Sequence, residues 1–302
     1  MIPNGRIPTH PVALRQSAHA LADPLPSLLA AAHRLAQGVA AGAHGRRRVG
    51  RGDEFWQYRP ALPGDPLRQI DWRRSARSDN QFVAQREWQA AQSVFLWADP
   101  RASMQFSGAP NRPEKAHRAQ TLALALALVL LRGGERVGLC NGPTPLAASC
   151  GRGQAEALGH GLLAATTGPA HTAPLPQLSA VSNRGWVVLL SDFLDDLAPF
   201  ERATSAAAAR GVQGVIIQVL DPIEESFPFD GHVLFESMDG ITAFDTPEAA
   251  DLQIRYKQRL AARKDALTDL ARRLGWQFSA HSTGASALSA LLWAYGAMSV
   301  GR

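Results

Sequence analysis

The sequence predicts an α/β fold built on a doubly wound, mostly parallel sheet. Three apolar runs, at residues 93–100, 185–193 and 212–222, have the length of strands buried on both faces, and each carries an aspartate at its end. Helical patterns separate these runs, as expected of parallel strands joined by crossover helices. Ligands of such sheets bind beyond the carboxyl ends of the strands, so the three strand-end aspartates are the first candidates for a site.

Residues 1–44 form an N-terminal segment that starts with a proline-rich irregular stretch. The Ala/Leu-rich run at residues 25–42 predicts a helix, because Pro26 lies near its start and Gly42 near its end.

Residues 45–92 form a second segment, dense in arginine, aspartate and tryptophan. After a Pro-Gly turn, Asp65 stands directly before Pro66, the pattern of an N-cap followed by proline at the first helical position. A second turn at residues 78–80 precedes an alternating run that predicts a strand. We predict that this segment packs against the α/β domain of residues 93–302.

The domain of residues 93–302 continues the alternation of strands and helices. Residues 114–134 predict a helix buried nearly all round, because their length and alanine content outweigh a Leu/Ala alternation that would also suit a strand. An Asp239-Gly240 pair between two short runs predicts a hairpin. The other predicted elements are strands at 136–141 and 277–282 and helices at 153–167, 198–211, 246–276 and the end of the chain.

Composition indicates an ordinary soluble protein, with 46% apolar and 19% charged residues. The net charge is +5, and the run GRRRVGR either attracts nucleic acid or acidic lipid or is a solvated face. Two cysteines are too few for a disulfide framework or a cysteine-rich metal ribbon. The N-terminus lacks the apolar core of a secretory signal, and the longest apolar run, residues 121–131, is too short to span a bilayer. We therefore expect a soluble, cytoplasmic protein.

Motifs of the common enzyme classes are absent from the sequence. It contains no phosphate loop, no G-x-G-x-x-G after a strand, no nucleophile elbow and no H-E-x-x-H pair. The nine histidines are scattered without ligand spacing. We therefore expect no catalytic residues and no hydrolysis of ATP or phosphate esters.

The strand ends offer a cluster of oxygen ligands. Asp99, the hydroxyl of Ser103 in the following loop, and Asp192 at another strand end would together suit Mg²⁺ or Mn²⁺. The alternative is that Asp99 and Asp192 cap the helices that follow them. The residues alone leave both interpretations open.

The runs SVFLWADPRASM and VVLLSDF resemble a von Willebrand factor A domain and its metal-ion-dependent adhesion site. In that family an Asp-x-Ser-x-Ser motif is completed by a threonine and an aspartate from later loops. The metal ligands that the resemblance implies are Asp99, Ser103, Thr172 and Asp192. Thr166 and Thr167 are rivals to Thr172 as the hydroxyl of the later loop.

Arg101 departs from this motif, because it stands where the first serine is expected. A guanidinium keeps its proton at every relevant pH, so it can neutralise two carboxylates that would otherwise repel one another. We expect Arg101 to bond Asp99 or Asp192, and binding of Mg²⁺ or Mn²⁺ to be weak or absent. The alternative is that Arg101 points into solvent and the metal site survives with one ligand fewer.

Residues 45–92 resemble, more specifically, the bacterial "domain of unknown function 58" proteins. That family carries G-x-G-x-E-F, R-x-Y-x-x-G-D-x-x-R-x-I-D-W and S-A-R patterns ahead of the A-type strand; here the aromatic residue and the arginine of the second pattern are swapped. The matching residues that we single out are Glu54, Tyr58, Arg59, Gly64, Asp65, Arg68, Asp71, Trp72 and Arg77. We expect the aspartates to pair with arginines above a packed Trp72, as a structural clamp; a docking surface is the alternative, and one segment can serve as both.

The resemblance implies a non-enzymatic protein-interaction module that acts with a MoxR-type AAA+ ATPase in the assembly or maturation of other proteins. Two alternatives belong to other classes. One is a metal-dependent phosphate-processing enzyme that uses Asp99, Asp192 and Asp221. The other is a nucleic-acid-binding protein that uses the basic runs, with a steep dependence on salt.

Overall fold

Contacts in the computed structural model divide the chain into two units, Ala43–Gln92 and a larger unit that joins Met1–Gly42 to Ser93–Arg302. The structure describes residues 24–37, 46–50, 54–62, 65, 70–77, 81–142, 144–151, 153–166, 175–236, 243–246 and 250–300. The strands are β1 (Arg46–Gly50), β2 (Glu54–Pro60), β3 (Phe82–Ala90), β4 (Ser93–Ala98), β5 (Arg136–Leu139), β6 (Leu146–Ser149), β7 (Trp186–Ser191), β8 (Gln213–Leu220), β9 (Val233–Glu236), β10 (Ala243–Thr246) and β11 (Gln277–Ser282). The helices are α1 (Pro24–Gln37), α2 (Trp72–Ser75), α3 (Lys115–Arg132), α4 (Gln154–Thr166), α5 (Ala198–Ala209), α6 (Pro222–Ser226), α7 (Ala250–Leu274) and α8 (Ala287–Val300).

Parallel pairing dominates the central sheet of the larger unit. The strand order is β11-β8-β7-β4-β5-β6, and every neighbouring pair is parallel except β5 with β6. From β4 the chain crosses to β5 on one side and later reaches β7 on the other, so the direction of winding reverses between β4 and β7. Such a reversal opens a crevice at the carboxyl ends of the two strands. Asp99 and Asp192 directly follow these strands.

Helices cover both faces of this sheet, which is why its central strands are apolar at almost every position. On one face α3 packs with α1, α4 and α8 over residues such as Leu96 and Val188. On the other face α5 and α7 cover Trp97, Leu189 and Ile216. Neighbours on nearly every side of α3 explain its continuous Leu/Ala composition, so the predicted buried helix is right.

The predicted α/β class with a mostly parallel central sheet is confirmed. The sequence analysis missed β1, β2 and β6, which have between four and seven residues and carry arginine or small residues in place of a clear alternation. The long helix was predicted to begin at Thr246, but this residue ends β10. The turn predicted at residues 239–240 lies outside the described residues, as does the proline at position 66. None of the described helices is long and apolar enough to cross a membrane.

Three antiparallel strands, in the order β1-β3-β2, form the sheet of the unit Ala43–Gln92. The short helix α2 is fixed to the start of β3 by polar contacts. Asp71 caps α2, since its carboxylate accepts the backbone N–H of Arg74 at 3.0 Å. The Ser75 hydroxyl donates to the Asp71 carbonyl at 2.8 Å and accepts the backbone N–H of Phe82 at 2.9 Å.

Candidate functional site

Arg101 lies on the carboxylate of Asp99, at the end of β4. Its Nε donates to both carboxylate oxygens at 2.9 Å, and its Nη2 contacts the same group. The hydroxyl of Ser191, at the end of β7, donates to the same carboxylate at 2.5 Å. The Nη1 of Arg101 contacts the carboxylate of Asp195, whose side chain is 65% exposed. Arg101 is therefore bonded to Asp99, as the sequence analysis expects, and also to an acid that it did not foresee.

Asp192, at the end of β7, has a different cation. The Nζ of Lys115 donates to Asp192 at 3.0 Å and to Glu224 at 2.6 Å, and it lies 5.8 Å from the ring centroid of Phe106. The side chains of Lys115 and Asp192 are each 1% exposed. The first residue of α3 therefore supplies a buried ammonium group between two carboxylates.

Asp221, at the end of β8, caps the helix that follows it and binds a third cation. Its carboxylate accepts the backbone N–H groups of Ile223 at 2.9 Å and Gly108 at 3.2 Å. The hydroxyl of Thr283 donates to it at 3.1 Å, as does Nη2 of Arg112. Burial alone would raise the pKa of Asp221, but these hydrogen bonds and the charge of Arg112 bring it below its ordinary value.

The cations that contact Asp99, Asp192 and Asp221 are Arg101, Lys115 and Arg112, and they come from one stretch between the end of β4 and the start of α3. We call the group Asp99, Arg101, Lys115, Asp192, Asp195 and Glu224 the strand-end site. Burial alone would lower the pKa of Arg101, but Asp99, Asp195 and Asp192 raise it. Burial likewise opposes the charge on Lys115, and Asp192 and Glu224 raise its pKa above the ordinary value. Both groups therefore keep their charge.

The other predicted ligands do not join these acids as a set. The Oγ of Ser103 is buried and has no hydrogen-bond partner among the described residues. Thr166 belongs to α4, where its hydroxyl donates to the carbonyl of Leu163 at 2.7 Å. Thr167 and Thr172 lie outside the described residues.

The donor set does not fit Mg²⁺ or Mn²⁺ as it stands. The carboxylate of Asp99 is taken up by Arg101 and Ser191, and that of Asp192 by Lys115. A divalent cation would have to displace both side-chain cations, although the unpartnered Oγ of Ser103 could serve it as a ligand. Within the described ranges, no three or more His, Cys, Asp or Glu residues are arranged to hold a metal.

Lys115, Glu224 and Asp195 are site residues that the sequence analysis missed. A signal for Lys115 was present: the chain has only three lysines, and this one begins a helix that is otherwise mostly apolar. A lone charge at a buried position needs a counter-ion. Nothing in the local sequence pointed to Asp192 and Glu224 as its partners, because they lie 77 and 109 residues away along the chain.

Next to the strand-end site, Arg118 joins α3 to the loop after β11. Its guanidinium donates to the carbonyls of Thr283 at 2.8 Å and Ala285 at 2.9 Å, and Nη1 lies 3.2 Å from Nε2 of His281. Burial lowers the pKa of His281, and the charge of Arg118 lowers it further, to about 4.

We expect acid to destabilise the protein through His281. The unfolded chain binds a proton at this residue near pH 6.5, whereas the folded chain does so only near pH 4. The stability that this group contributes is therefore present above pH 6.5 and is lost as the pH falls toward 4, by up to about 3 kcal/mol. Denaturant titrations of the wild type and His281→Gln across this range measure the effect. Equal pH dependence in the two proteins would contradict it.

Trp72 and Asp71, in the unit Ala43–Gln92, have different environments. Trp72 is 55% exposed, so the expectation that it packs beneath the arginines is wrong. Arg73, Arg74 and Arg77 are also exposed. The carboxylate of Asp71 forms the N-cap of α2.

We expect Asp71→Ala to lower the free energy of unfolding by about 1 kcal/mol, because α2 loses its cap. Trp72→Ala should change it by less than about 1 kcal/mol, since much of the indole is already in water. Thermal melts of both variants test the pair. A larger loss from Trp72→Ala than from Asp71→Ala would show that the indole stabilises the fold despite its exposure.

The fold and the site define an α/β protein whose strand-end aspartates are held by side-chain cations. The chain belongs to the family described as "Protein of unknown function DUF58", whose profile matches residues 57–266. It is 30% identical over 215 residues to Uncharacterized protein Rv1480 of Mycobacterium tuberculosis, and equally so to Uncharacterized protein Mb1516 of Mycobacterium bovis. These matches cover 67% of this chain and 66% of each relative, just under two thirds of the relatives' length.

Two solved structures show a more distant similarity. Conserved hypothetical protein BatB from Bacteroides thetaiotaomicron superposes with a TM-score of 0.42 at 15% identity, over 70% of this chain and 100% of that one. An aerotolerance-related membrane protein from Bacteroides fragilis gives a TM-score of 0.40 at 14% identity, over 69% and 98%. Both TM-scores are below 0.5, so neither similarity bears on function.

Proposed function

We propose that the protein is a non-enzymatic interaction module whose larger unit is a von Willebrand A-like domain with a degenerate adhesion site. The observation that carries this proposal is the neutralisation of Asp99 and Asp192 by Arg101 and Lys115. A carboxylate held by a permanent cation is a poor general base and a poor metal ligand. Such a site keeps one shape and one distribution of charge, which suits the recognition of a partner protein.

The outer rim of the strand-end site supports the same proposal. Arg101 is 23% exposed and Asp195 65% exposed, so one edge of the strand-end site can reach a partner, whereas Lys115 and Asp192 are buried. A metal-dependent phosphate-processing enzyme would have to give up both cations before it could bind its metal. We therefore place that alternative second.

The proposed partner is an AAA+ ATPase of the MoxR type, and the proposed process is the assembly or maturation of other proteins in the cytoplasm. The support is the resemblance of the signature residues and of the strand-end motif to families that act in this way. The membership of the DUF58 family is compatible with it, but the description of that family names no activity.

Affinity purification from native cytosol tests the partner. The tagged wild-type chain is recovered with and without ATP, and the bound proteins are identified by mass spectrometry. We expect an AAA+ ATPase whose recovery depends on the nucleotide. Failure to recover any ATPase in either condition would contradict the proposal that an AAA+ ATPase is the partner.

A turnover assay tests the non-enzymatic character separately. The purified chain is incubated with ATP or a generic phosphate ester, with and without Mg²⁺ or Mn²⁺, and we expect no release of phosphate. Metal-dependent turnover that disappears in Asp99→Ala would show that the protein is an enzyme.

A further inference from the structure

Positive charge is concentrated in the smaller unit. Residues 43–92 contain ten arginines, no lysine and six acids, a net charge of +4 out of +5 for the whole chain. The remaining 252 residues are almost neutral. A fifty-residue unit that carries nearly all of the excess charge attracts acidic partners wherever its side chains reach solvent.

An exposed tryptophan lies within this charge. Trp72 opens α2 at 55% exposure, and Arg73 and Arg77 on and just after the same helix are exposed as well. Large aromatic side chains seldom stay in water without a use, since burying one at an interface is strongly favourable. Tryptophan and arginine are also the residues that most often dominate binding energy in protein interfaces.

Hydrogen bonds fix the backbone beneath these side chains. Asp71 caps α2, and Ser75 links α2 to β3 through hydrogen bonds of 2.8 and 2.9 Å. The guanidinium of Arg74 lies over the ring of Phe82, 5.4 Å from its centroid. A surface that is held in place before binding loses little conformational freedom when a partner docks.

We propose that Trp72, Arg73 and Arg77 form a docking surface for an acidic segment of a partner protein, with the indole seated in an apolar pocket or against an apolar residue of that segment. The inference rests on the proposed function, because it supplies the contact surface of an interaction module. An interaction module takes a polypeptide as its partner, and an acidic segment with an apolar residue can satisfy the exposed guanidinium groups and the indole together.

Fluorescence anisotropy with three labelled probes tests this surface on the full-length chain. The first probe is a peptide of four Glu-Glu-Leu repeats, the second replaces each glutamate with lysine, and the third is an oligothymidylate of the same length. We expect binding of the acidic peptide, none of the basic peptide, and weaker binding of the oligothymidylate.

Variants then locate the binding. Trp72→Ala should weaken the binding of the acidic peptide at least about tenfold. Arg73→Ala and Arg77→Ala should each weaken the binding of this peptide and make its affinity less dependent on salt. The matched controls are Ile254→Ala, an exposed apolar residue, and Arg202→Ala, an exposed arginine, both in the larger unit and both expected to bind as the wild type does.

In the peptide assay, the proposal would be overturned if the acidic peptide did not bind, if Trp72→Ala bound it as well as the wild type does, or if the oligothymidylate bound more tightly. The last would assign the surface to nucleic acid. Recovery of the AAA+ ATPase by Trp72→Ala at the wild-type level would overturn the docking surface while leaving the proposed function intact. Binding of the peptide at Trp72 without recovery of any ATPase would support the docking surface and contradict the proposed ATPase partner.

Discussion

Replacing Lys115 with methionine is expected to lower the free energy of unfolding by about 3–5 kcal/mol. Methionine has a similar volume, so the change removes the charge and leaves the packing of α3 nearly intact. The loss arises because Asp192 and Glu224 then stay buried without their shared cation. Thermal and denaturant melts measure the difference.

The comparison that isolates this effect is Lys264→Met. Lys264 donates to Glu225 at 2.8 Å, but both side chains are roughly a third exposed, and such a pair contributes only about 0–1 kcal/mol. Neutralising the acids together with the lysine, in Lys115→Met/Asp192→Asn/Glu224→Gln, should recover most of the lost stability. If Lys115→Met melts like Lys264→Met, the buried charges are not coupled as the structure indicates.

The stability lost by Lys115→Met should also shrink in acid. Burial already raises the pKa of Glu224, and loss of the neighbouring ammonium group would raise it further. The folded variant then takes up a proton at a pH where the unfolded chain is still ionised, so its relative stability rises as the pH falls.

The second large effect is expected from Arg101→Ser. Removing the guanidinium leaves the buried carboxylate of Asp99 without its cation, which costs about 3–5 kcal/mol in the absence of metal. The introduced hydroxyl then offers an oxygen ligand two residues from Asp99 in the sequence, and the Oγ of Ser103, without a hydrogen-bond partner among the described residues, belongs to the same loop. We expect Mn²⁺ to raise the melting temperature of this variant and to have little effect on the wild type.

Mn²⁺ at about 100 times its dissociation constant would return about 2.7 kcal/mol to the variant. Calorimetric titration gives the dissociation constants directly. Arg263→Ser is the matched control, because the hydrogen bonds that Arg263 donates within the described residues go to the backbone carbonyls of Leu194 and Asp195, near the same loop. A wild-type chain that already binds Mn²⁺ at micromolar concentration, with no gain in Arg101→Ser, would show that the guanidinium does not replace the metal.

The fold was predictable because its evidence is local. The apolar runs that end at Asp99, Asp192 and Asp221 each fit a strand buried on both faces, and the alternation with helices then favours parallel pairing. The short strands β1 and β6 escaped prediction, since their pairing partners decide their conformation more than their own residues do.

The site was predictable only in part, because only some of its contacts join residues that are close in the sequence. Arg101 lies two residues from Asp99, so its contact with that carboxylate could be inferred from the motif. The partners of Lys115 come from other strands and are fixed by the three-dimensional fold. Trp72 was misjudged because a dense cluster of arginines and aspartates suggests an indole packed beneath it, whereas the indole at the start of α2 is 55% exposed.

The supply of Arg101 and Lys115 from the stretch between β4 and α3 also has a consequence for synthesis on the ribosome. Arg101 and Lys115 leave the ribosome well before Asp192, Asp195 and Glu224 are translated. Until then Lys115 lacks both of its carboxylate partners, so we expect the first turn of α3 to settle only afterwards. The strand-end site is therefore expected to close only after β7 and β8 have joined the sheet, so its closure is a sign that both strands are in place.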